Sequence, residues 1–325
     1  MKTRMLGREG FPVSEIGLGC WQLGGDFGPL TDETALAILQ AAVDSGITFW
    51  DTANVYGNGR SERLIGQFLR GLATPIRVAT KFGRGDVYPD GYSLDAMRRA
   101  VDQSREHLGV ERIDLLQLHC VPIAQLQRGE IFDWLRMIRD EGMIEHFGAS
   151  VESDEQALLC LRQPGLLSLQ LIFNVLRQKP MIEVLPQAHQ QGVGIIVRLP
   201  LASGLLAGKF TAESKFSETD HRHFNRDGQC FNVGETFAGL PLAVGAKLVD
   251  QLRSRIHEPM SLAELSQRWL LDQEGVSTVI TGATTPAQVR ENARASDLPP
   301  LAVETHEQLT DFYWNEVHEK IRGVY

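Results

Sequence analysis

The sequence lacks an excess of positive charge, a long apolar run and clustered cysteines. Of its 325 residues, 41 are acidic and 32 are basic, so the formal net charge is −9. Non-specific binding of nucleic acid or anionic lipid needs a positive field, which argues against both as partners. No apolar run approaches the ~20 residues that span a bilayer. The opening MKTRMLGREGF lacks the apolar core of a signal peptide.

The four cysteines are too dispersed to indicate a metal or disulfide framework. Cys20, Cys120, Cys160 and Cys230 are far apart and form no CxxC pair. Such spacing signals neither a zinc site nor a disulfide-stapled fold. We therefore expect reduced thiols in a cytoplasmic protein.

Eight short apolar runs alternate with helical patterns along the chain. Each run is nearly continuous, as in strands that are covered on both faces of a parallel sheet. Eight parallel strands close a barrel, so we expect a single-domain (β/α)8 TIM barrel over residues 1–325. The predicted strands are residues 15–20, 47–51, 76–81, 113–119, 145–150, 167–172, 193–198 and 277–282.

Three segments lie outside this repeat. The opening RMLGREGFPVSEIG contains two short extended pieces and predicts an N-terminal β-hairpin at the bottom of the barrel. The polar residues 211–237 form a long loop after the seventh strand, and loops of this length are usually functional or mobile. A helical tail is expected over residues 304–325.

Reactive side chains stand at three successive strand ends. The second strand ends in Asp51, with Tyr56 in the loop beyond it, the third ends in Lys81 and the fourth in His119. In such barrels, the loops after the strands build the active site. Taken singly, these residues have structural interpretations: a rim ion pair, a turn tyrosine and a packing histidine. Their combination in this order favours a catalytic site.

The four residue types suit the reduction of an aldehyde or ketone. A tyrosine has a pKa near ~10 and is a poor acid at neutral pH, and an adjacent ammonium lowers that pKa. Asp51 would keep Lys81 charged, and His119 would orient the substrate oxygen. Tyr56 would deliver the proton. The hydride has to come from a cofactor, because no side chain supplies one.

Four sequence blocks in order are similar to the signature blocks of the aldo-keto reductases, especially potassium-channel beta subunits and bacterial members. They are DTANVYGNGRSE, VATKFG, LLQLH and ITGATTPAQVREN. This resemblance implies a (β/α)8 barrel, NAD(P)H-dependent carbonyl reduction without a metal, and a catalytic tetrad of Asp51, Tyr56, Lys81 and His119. The family binds its coenzyme without the GxGxxG fingerprint, which is absent here.

The resemblance also assigns coenzyme contacts. Val151 stands where the family usually has Asn, and Arg198 stands where many members stack an aromatic residue on the nicotinamide. The implied contacts are Ser150, Gln170, Arg198, Pro200, Leu201, Ser203, Gly204, Lys209, Gly282, Thr284, Gln288, Glu291 and Asn292.

The coenzyme is expected to be NADP(H), with NAD(H) as the alternative. No Lys or Arg occupies the 2′-phosphate positions at Gly282 and Thr284, but Thr284 and Gln288 can hydrogen-bond a phosphate. Arg222 or Arg226 of the long loop would close over the coenzyme phosphates, or else both are solvated. Trp21, Trp50 and Tyr88 are candidates for the substrate mouth, and Trp50 alternatively points outward against a helix.

Two other functions fit parts of the sequence. A coenzyme-binding regulatory subunit, acting as a redox sensor with slow turnover, would keep the same tetrad. A metal-dependent barrel would need several carboxylate or histidine ligands at strand ends, and only Asp51 and His119 qualify. We therefore expect an enzyme with a small-molecule carbonyl substrate, existing as a monomer or a weak homo-oligomer.

Overall fold

A closed barrel of eight parallel strands forms the centre of the computed structural model, which describes residues 1–325. The strands follow in chain order, and the last pairs with the first barrel strand. Each lies within two residues of a predicted segment, so the expected (β/α)8 barrel is confirmed. Two strands, β1 (Thr3–Met5) and β2 (Pro12–Ser14), lie outside the barrel. The eight barrel strands are β3 (Ile16–Gly19), β4 (Phe49–Asp51), β5 (Arg77–Phe82), β6 (Ile113–His119), β7 (Ile144–Ser150), β8 (Leu166–Ile172), β9 (Gly194–Arg198) and β10 (Val276–Gly282).

Helices cover the outside of the barrel. None of them has both the length and the apolar character needed to cross a bilayer. They are α1 (Trp21–Gly24), α2 (Asp32–Asp44), α3 (Arg60–Leu69), α4 (Leu94–Leu108), α5 (Ile123–Arg128), α6 (Glu130–Asp140), α7 (Asp154–Leu161), α8 (Val184–Gln191), α9 (His221–Phe224), α10 (Leu242–Arg255), α11 (Leu262–Leu271), α12 (Pro286–Ala293) and α13 (Val303–Phe312).

The N-terminal hairpin closes the bottom of the barrel. β1 and β2 pair antiparallel, which confirms the predicted hairpin. Leu6, Phe11 and Val13 are buried and pack with apolar side chains from the lower part of the barrel interior. The opposite end, where the strands have their carboxyl ends, is therefore the mouth.

Inward-facing side chains change from apolar to polar towards the mouth. In β5, Ala79 belongs to the apolar floor and Lys81 follows two residues later. In β6, Leu115 belongs to the floor and Gln117 follows it. Because side chains two residues apart share one face of a strand, this pattern sets polar groups above an apolar floor.

The long loop and the tail contain structure that the sequence did not indicate. Residues 211–237 include the short helix α9, and Phe27 of the β3–α2 connection forms a bridge with Asp220. The tail is helical only as far as Lys320 and includes a π-helical turn over Tyr313–Val317. Its last residues lie against the end of the long loop, where Arg322 donates to the backbone oxygen of Gly239 over 3.0 Å.

Candidate active site

A buried lysine links the ends of β4 and β5 at the mouth. Lys81 Nζ lies 2.5 Å from Asp51 Oδ2, 2.7 Å from the backbone oxygen of Thr52 and 3.2 Å from Tyr56 Oη. The side chains of Lys81 and Asp51 are only 1% and 3% exposed, respectively. The register places Asp51 opposite Ala79, and Lys81 is two residues further along the same face. The fold thus brings Asp51, Tyr56 and Lys81 together.

Two amides from the far side of the barrel hold the other oxygen of Asp51. Gln117 Nε2 and Gln170 Nε2 donate to Asp51 Oδ1 over 2.8 Å and 2.7 Å. Ser150 Oγ in turn donates to Gln170 Oε1 over 3.2 Å. Sequence reasoning missed Gln117, although a polar residue two positions before His119 in an apolar strand was an available signal. These bonds orient the carboxylate so that its second oxygen faces the lysine.

Burial and charge shift the pKa values of the lysine and the tyrosine. Burial lowers the pKa of Lys81, but Asp51 and Tyr56 outweigh it and hold that pKa above its ordinary value. Burial raises the pKa of Tyr56 to about 12, and the Lys81 ammonium opposes this only in part. Lys81 lowers the pKa of Tyr56, as expected, but the net shift of that pKa is upward because the loss of hydration is the larger influence.

His119 faces the tyrosine at the end of β6. The two rings lie 5.9 Å apart and nearly perpendicular, at 87°. His119 Nδ1 is buried without a hydrogen-bond partner. Burial, followed by the charges of Lys81, Arg84 and Arg198, holds the pKa of His119 well below its ordinary value. The imidazole is therefore neutral at physiological pH and has one N–H to donate.

These side chains can act together on a carbonyl oxygen. Since the pKa of Tyr56 is about 12, the phenol carries its proton at physiological pH. The cation at Lys81 can stabilise the phenolate that remains after proton transfer. The neutral ring of His119 can supply a second hydrogen bond to the same oxygen. The arrangement is suited to general acid catalysis.

Two guanidinium–carboxylate pairs lie beside His119 at the rim. Arg84 Nη2 is 2.7 Å from Glu152 Oε1, and Arg198 Nη1 is 2.6 Å from Glu235 Oε2. Glu235 comes from the long loop, so that loop reaches the site. Sequence reasoning missed Arg84, Glu152 and Glu235, because they stand in irregular segments where no periodicity marks an inward residue.

Cys120 lies among these pairs. Its Sγ is 3.7 Å from Arg198 Nη2 and 3.9 Å from Glu235 Oε1. Burial raises the pKa of the Cys120 thiol, so it stays protonated, as expected of a packing residue. Ligand atoms of Cys120, Glu152 and Glu235 lie within 4.8 Å of one another. A cation would tolerate that spacing, but the guanidinium groups already account for the proximity of the two carboxylates.

The long loop also contacts the mouth through aromatic rings. The Trp21 ring stacks on Tyr56 at 6.0 Å and 23°, and Trp21 Nε1 donates to Asp26 Oδ2 over 2.6 Å. His221 of the long loop lies 4.7 Å from the Trp21 ring and 4.4 Å from Phe27. Of the three aromatic candidates for the substrate mouth, Trp21 is therefore the one that contacts Tyr56.

The other two aromatic candidates lie elsewhere. Trp50 is fully buried and packs against Phe68 of α3, so it points outward from the barrel, the alternative considered for it. Tyr88 is 45% exposed, with the Arg84 guanidinium 5.2 Å from its ring.

The segment after β9 turns sharply at two of the predicted coenzyme residues. Ser203 and Gly204 have φ angles of 56° and 97°. Ser203 Oγ donates to the backbone oxygen of Glu235 over 3.0 Å, so this side chain holds the long loop. Of the other residues predicted here, Lys209 is exposed, Leu201 is half-buried and Pro200 is buried.

The last predicted group surrounds the start of α12. The Thr284 backbone N–H and hydroxyl donate to Gln288 Oε1 over 2.7 Å and 3.1 Å. The Gln22 amide lies 1.8 Å from where a Cβ on Gly282 would be. Glycine at position 282 therefore allows the Gln22 side chain of α1 to approach β10 closely. Glu291 is exposed, and Asn292 is buried and accepts from Gln267 over 3.4 Å.

A sequence model of the Aldo/keto reductase family matches residues 15–313. The chain belongs to the aldo/keto reductase family. This aldo/keto reductase is 30% identical to a probable voltage-gated potassium channel subunit beta of Arabidopsis thaliana, over 93% of each chain. It is 27% identical to the aldo-keto reductase yakc [NADP(+)] of Schizosaccharomyces pombe, over 89% of this chain and 85% of that one.

A solved structure shares the whole fold of this aldo/keto reductase. The aldo-keto reductase AKR11C1 from Bacillus halodurans, in its holo form, is 26% identical and superposes with a TM-score of 0.77. The match covers 100% of this chain and 98% of that one. The family inferred from the four sequence blocks is thus confirmed, and the membership supports an oxidoreductase.

Proposed function

We propose that this aldo/keto reductase reduces aldehydes or ketones to alcohols, with Tyr56 as the proton donor. The observation that carries the proposal is the 3.2 Å contact between Tyr56 Oη and Lys81 Nζ within a buried network. A nicotinamide coenzyme supplies the hydride when bound. The phenol of Tyr56 would give its proton to the carbonyl oxygen of the substrate, and the phenolate would then regain a proton from solvent.

The remaining residues of the network have positioning roles in this proposal. Asp51 holds the Lys81 ammonium charged and beside the phenol. Gln117 fixes the orientation of Asp51 through its bond to Oδ1. His119 donates a hydrogen bond to the carbonyl oxygen and so places the substrate within reach of Tyr56.

We propose NADP(H) as the coenzyme. Ser150 and Gln170 offer a hydroxyl and an amide beside the reaction centre, where they suit the carboxamide of a nicotinamide. At the other end, Gln22 Oε1 is buried without a partner beside Gly282, which leaves an acceptor for an adenosine group. The hydroxyl of Thr284 and the amide of Gln288 suit a 2′-phosphate at the N-terminus of α12. The relative from Schizosaccharomyces pombe is named for NADP+.

The preference for NADP(H) over NAD(H) should be weak. No Lys or Arg stands at positions 282 and 284. Arg222, considered as a phosphate ligand, is instead paired with Asp220 at 2.5 Å. That bond holds the guanidinium near Phe27 and Phe216, with their rings 5.4 Å and 4.7 Å from its carbon. A neutral pocket discriminates poorly against a coenzyme that lacks the phosphate.

A coenzyme oxidation assay tests the function. The protein is given NADPH or NADH with a panel of aldehydes, ketones and sugars, and the loss of coenzyme absorbance is followed over many turnovers. We expect turnover with both coenzymes and a modest preference for NADPH. A thousand-fold preference would contradict the coenzyme proposal. Tightly co-purifying coenzyme with slow turnover across the panel would instead indicate the redox-sensing regulatory subunit.

A further inference from the structure

We propose that Ser61 and Glu62, at the start of α3, are positioning residues for Lys81. They act through the hydroxyl groups of Thr52 and Thr80, and these four side chains are called the α3 brace below. The inference rests on the proposed carbonyl reduction and extends it to a part of the fold behind the reaction centre. None of the four side chains is among the groups proposed to hold the coenzyme or the substrate.

The two threonines of the brace adjoin the reaction centre along the chain but face away from it. Thr52 follows Asp51 at the end of β4, and Thr80 precedes Lys81 in β5. Because successive side chains of a strand point to opposite faces, Asp51 and Lys81 face the interior of the barrel and the threonines face the surrounding helices. Both threonines are completely buried there, and both hydroxyl groups are bonded to α3.

Ser61 links the ends of β3 and β4. The Thr52 hydroxyl donates to Ser61 Oγ over 2.8 Å, and the Ser61 hydroxyl donates to the backbone oxygen of Cys20 over 2.9 Å. The backbone oxygen of Thr52 accepts from Lys81 Nζ over 2.7 Å. The two hydroxyl bonds therefore hold in place a residue that is itself a direct partner of the Lys81 ammonium.

Glu62 holds β5 in a similar way. The Thr80 hydroxyl donates to Glu62 Oε1 over 2.6 Å, and His107 Nδ1 of α4 lies 3.0 Å from Glu62 Oε2. The Glu62 side chain is 0% exposed, and burying a carboxyl group is costly unless its oxygens have partners. Strand β5 is thus tied to α3 and, through Glu62, to α4 at the residue directly before Lys81.

The position of α3 does not depend on these bonds alone. Leu64 and Ile65 are buried in the main apolar core. A Cβ on Gly66 would lie 2.1 Å from the backbone oxygen of His107, so α3 and α4 are in close contact. Apolar burial is non-directional, so it holds the helix without fixing the ends of the strands. The directional hydrogen bonds of the brace supply that orientation.

Paired substitutions of the two threonines separate the hydroxyl group from the rest of the side chain. Thr52→Val and Thr80→Val keep the branched shape and remove the hydroxyl, whereas Thr52→Ser and Thr80→Ser keep the hydroxyl and remove the methyl group. The assay uses NADPH and whichever of propanal, benzaldehyde and glyceraldehyde the unaltered protein reduces fastest. We expect each valine variant to lower kcat about tenfold with little change in KM, because Lys81 is held less well beside Tyr56. Each serine variant should retain most of kcat.

Thr278→Val is the matched control. Thr278 is also completely buried in a barrel strand, and its hydroxyl donates to the backbone oxygen of Ser14 over 2.9 Å, away from the mouth. The kcat of this variant should be unchanged. Fluorescence titration with NADPH shows whether each variant is folded. Thr52→Val leaves Ser61 its bond to Cys20, so this variant carries the test if Thr80→Val does not fold.

The outcomes separate the α3 brace from the function on which it rests. If the unaltered protein reduces no carbonyl compound, both are wrong. If it does, and the serine variants lose as much kcat as the valine variants, carbonyl reduction stands and the brace is wrong, because packing rather than the hydroxyl bonds matters at these positions. An equal loss of kcat in Thr278→Val, or a change confined to KM, would also contradict the positioning role.

Discussion

The bottom of the barrel, beneath its apolar floor, and the mouth both carry charged side chains, but these side chains differ in how completely they are hydrogen-bonded. At the bottom, Arg4 uses all three nitrogens: Nε donates to Glu15 Oε1 over 2.8 Å, Nη1 to the backbone oxygen of Val276 over 2.9 Å and Nη2 to that of Leu271 over 2.7 Å. At the mouth, Arg198 Nε and His119 Nδ1 are buried without partners.

We infer from this difference that the bottom of the barrel serves stability and that the mouth serves binding. Buried polar groups are nearly always hydrogen-bonded in folded proteins, so we interpret the two unpartnered atoms at the mouth as positions where a ligand supplies the partner. The volume of a cavity does not identify the candidate site, because an open groove of about 1000 Å³ lies at the bottom of the barrel, beside Arg4 and Glu15. Substitutions at the bottom should therefore change the free energy of unfolding, and substitutions at the mouth should change kcat.

The largest expected effect is a loss of turnover from a substitution at the mouth. Tyr56→Phe removes the proposed proton donor and should lower kcat for carbonyl reduction about a thousandfold. Coenzyme affinity should persist, because the hydroxyl contributes little to holding the adenosine half. Steady-state kinetics and a fluorescence titration of NADPH measure the two effects. Tyr313→Phe, outside the mouth, is the control, and near-normal turnover of Tyr56→Phe would refute the mechanism.

The converse effect is a loss of stability, without loss of turnover, from a substitution at the bottom of the barrel. Glu15 accepts from Arg4 and from Ser296 Oγ, the latter over 2.9 Å. Glu15→Gln removes the counter-charge of Arg4 and should lower the free energy of unfolding by about 2 kcal/mol, while kcat stays unchanged. Denaturant titration measures the stability. Glu274→Gln at the exposed His189 pair is the control, and an equal loss in both variants would argue against a special role for the network at the bottom of the barrel.

A fall in pH should loosen the long loop, residues 211–237, from its contacts at the mouth. Burial, more than any other influence, lowers the pKa of His221 to about 4 from the ordinary value of 6.5. Between these values the open loop binds more protons than the closed one. Closure is therefore most stable above about pH 6.5 and weakens as the pH falls towards 4.

Hydrogen exchange of residues 211–237, corrected for the intrinsic effect of pH, measures this loosening. We expect faster exchange at about pH 5 than at about pH 7.5. His221→Phe retains an aromatic ring between Trp21 and Phe27 but cannot be protonated, so its exchange should not respond to this change of pH. An unaltered response in that variant would assign the effect to another group.

The smallest expected effect concerns orientation within the mouth. Gln117→Leu removes one of the two amide bonds to Asp51 Oδ1, while Gln170 still donates the other. We expect kcat to fall roughly fivefold to tenfold with little change in KM, because Lys81 is held less well beside the phenol. Steady-state kinetics separate the two constants. A change confined to KM would show that Gln117 contacts the substrate rather than positioning the carboxylate.

Much of the barrel could be predicted because its signals are local. The near-continuous apolar runs marked all eight strands. A Ser followed three residues later by Glu or Gln predicts a capping box, and Ser261 with Glu264 forms one at α11. Ser153 and Gln156 have the same spacing, and Ser153 caps α7, but Gln156 Oε1 accepts from the backbone N–H of Glu152 rather than from that of Ser153. Which backbone donor a side chain reaches depends on the preceding turn, and no short-range pattern specifies that.

The sequence by itself determined the strand order and the residues at the strand ends, because apolar periodicity and parallel topology bring Asp51, Lys81 and His119 to one rim. Only the tertiary structure decided that Glu235 meets Arg198, since an irregular loop separates them along the chain. It also decided the upward pKa shift of Tyr56. Charge alone predicts a lower value, but a closed barrel removes the water that would solvate a phenolate.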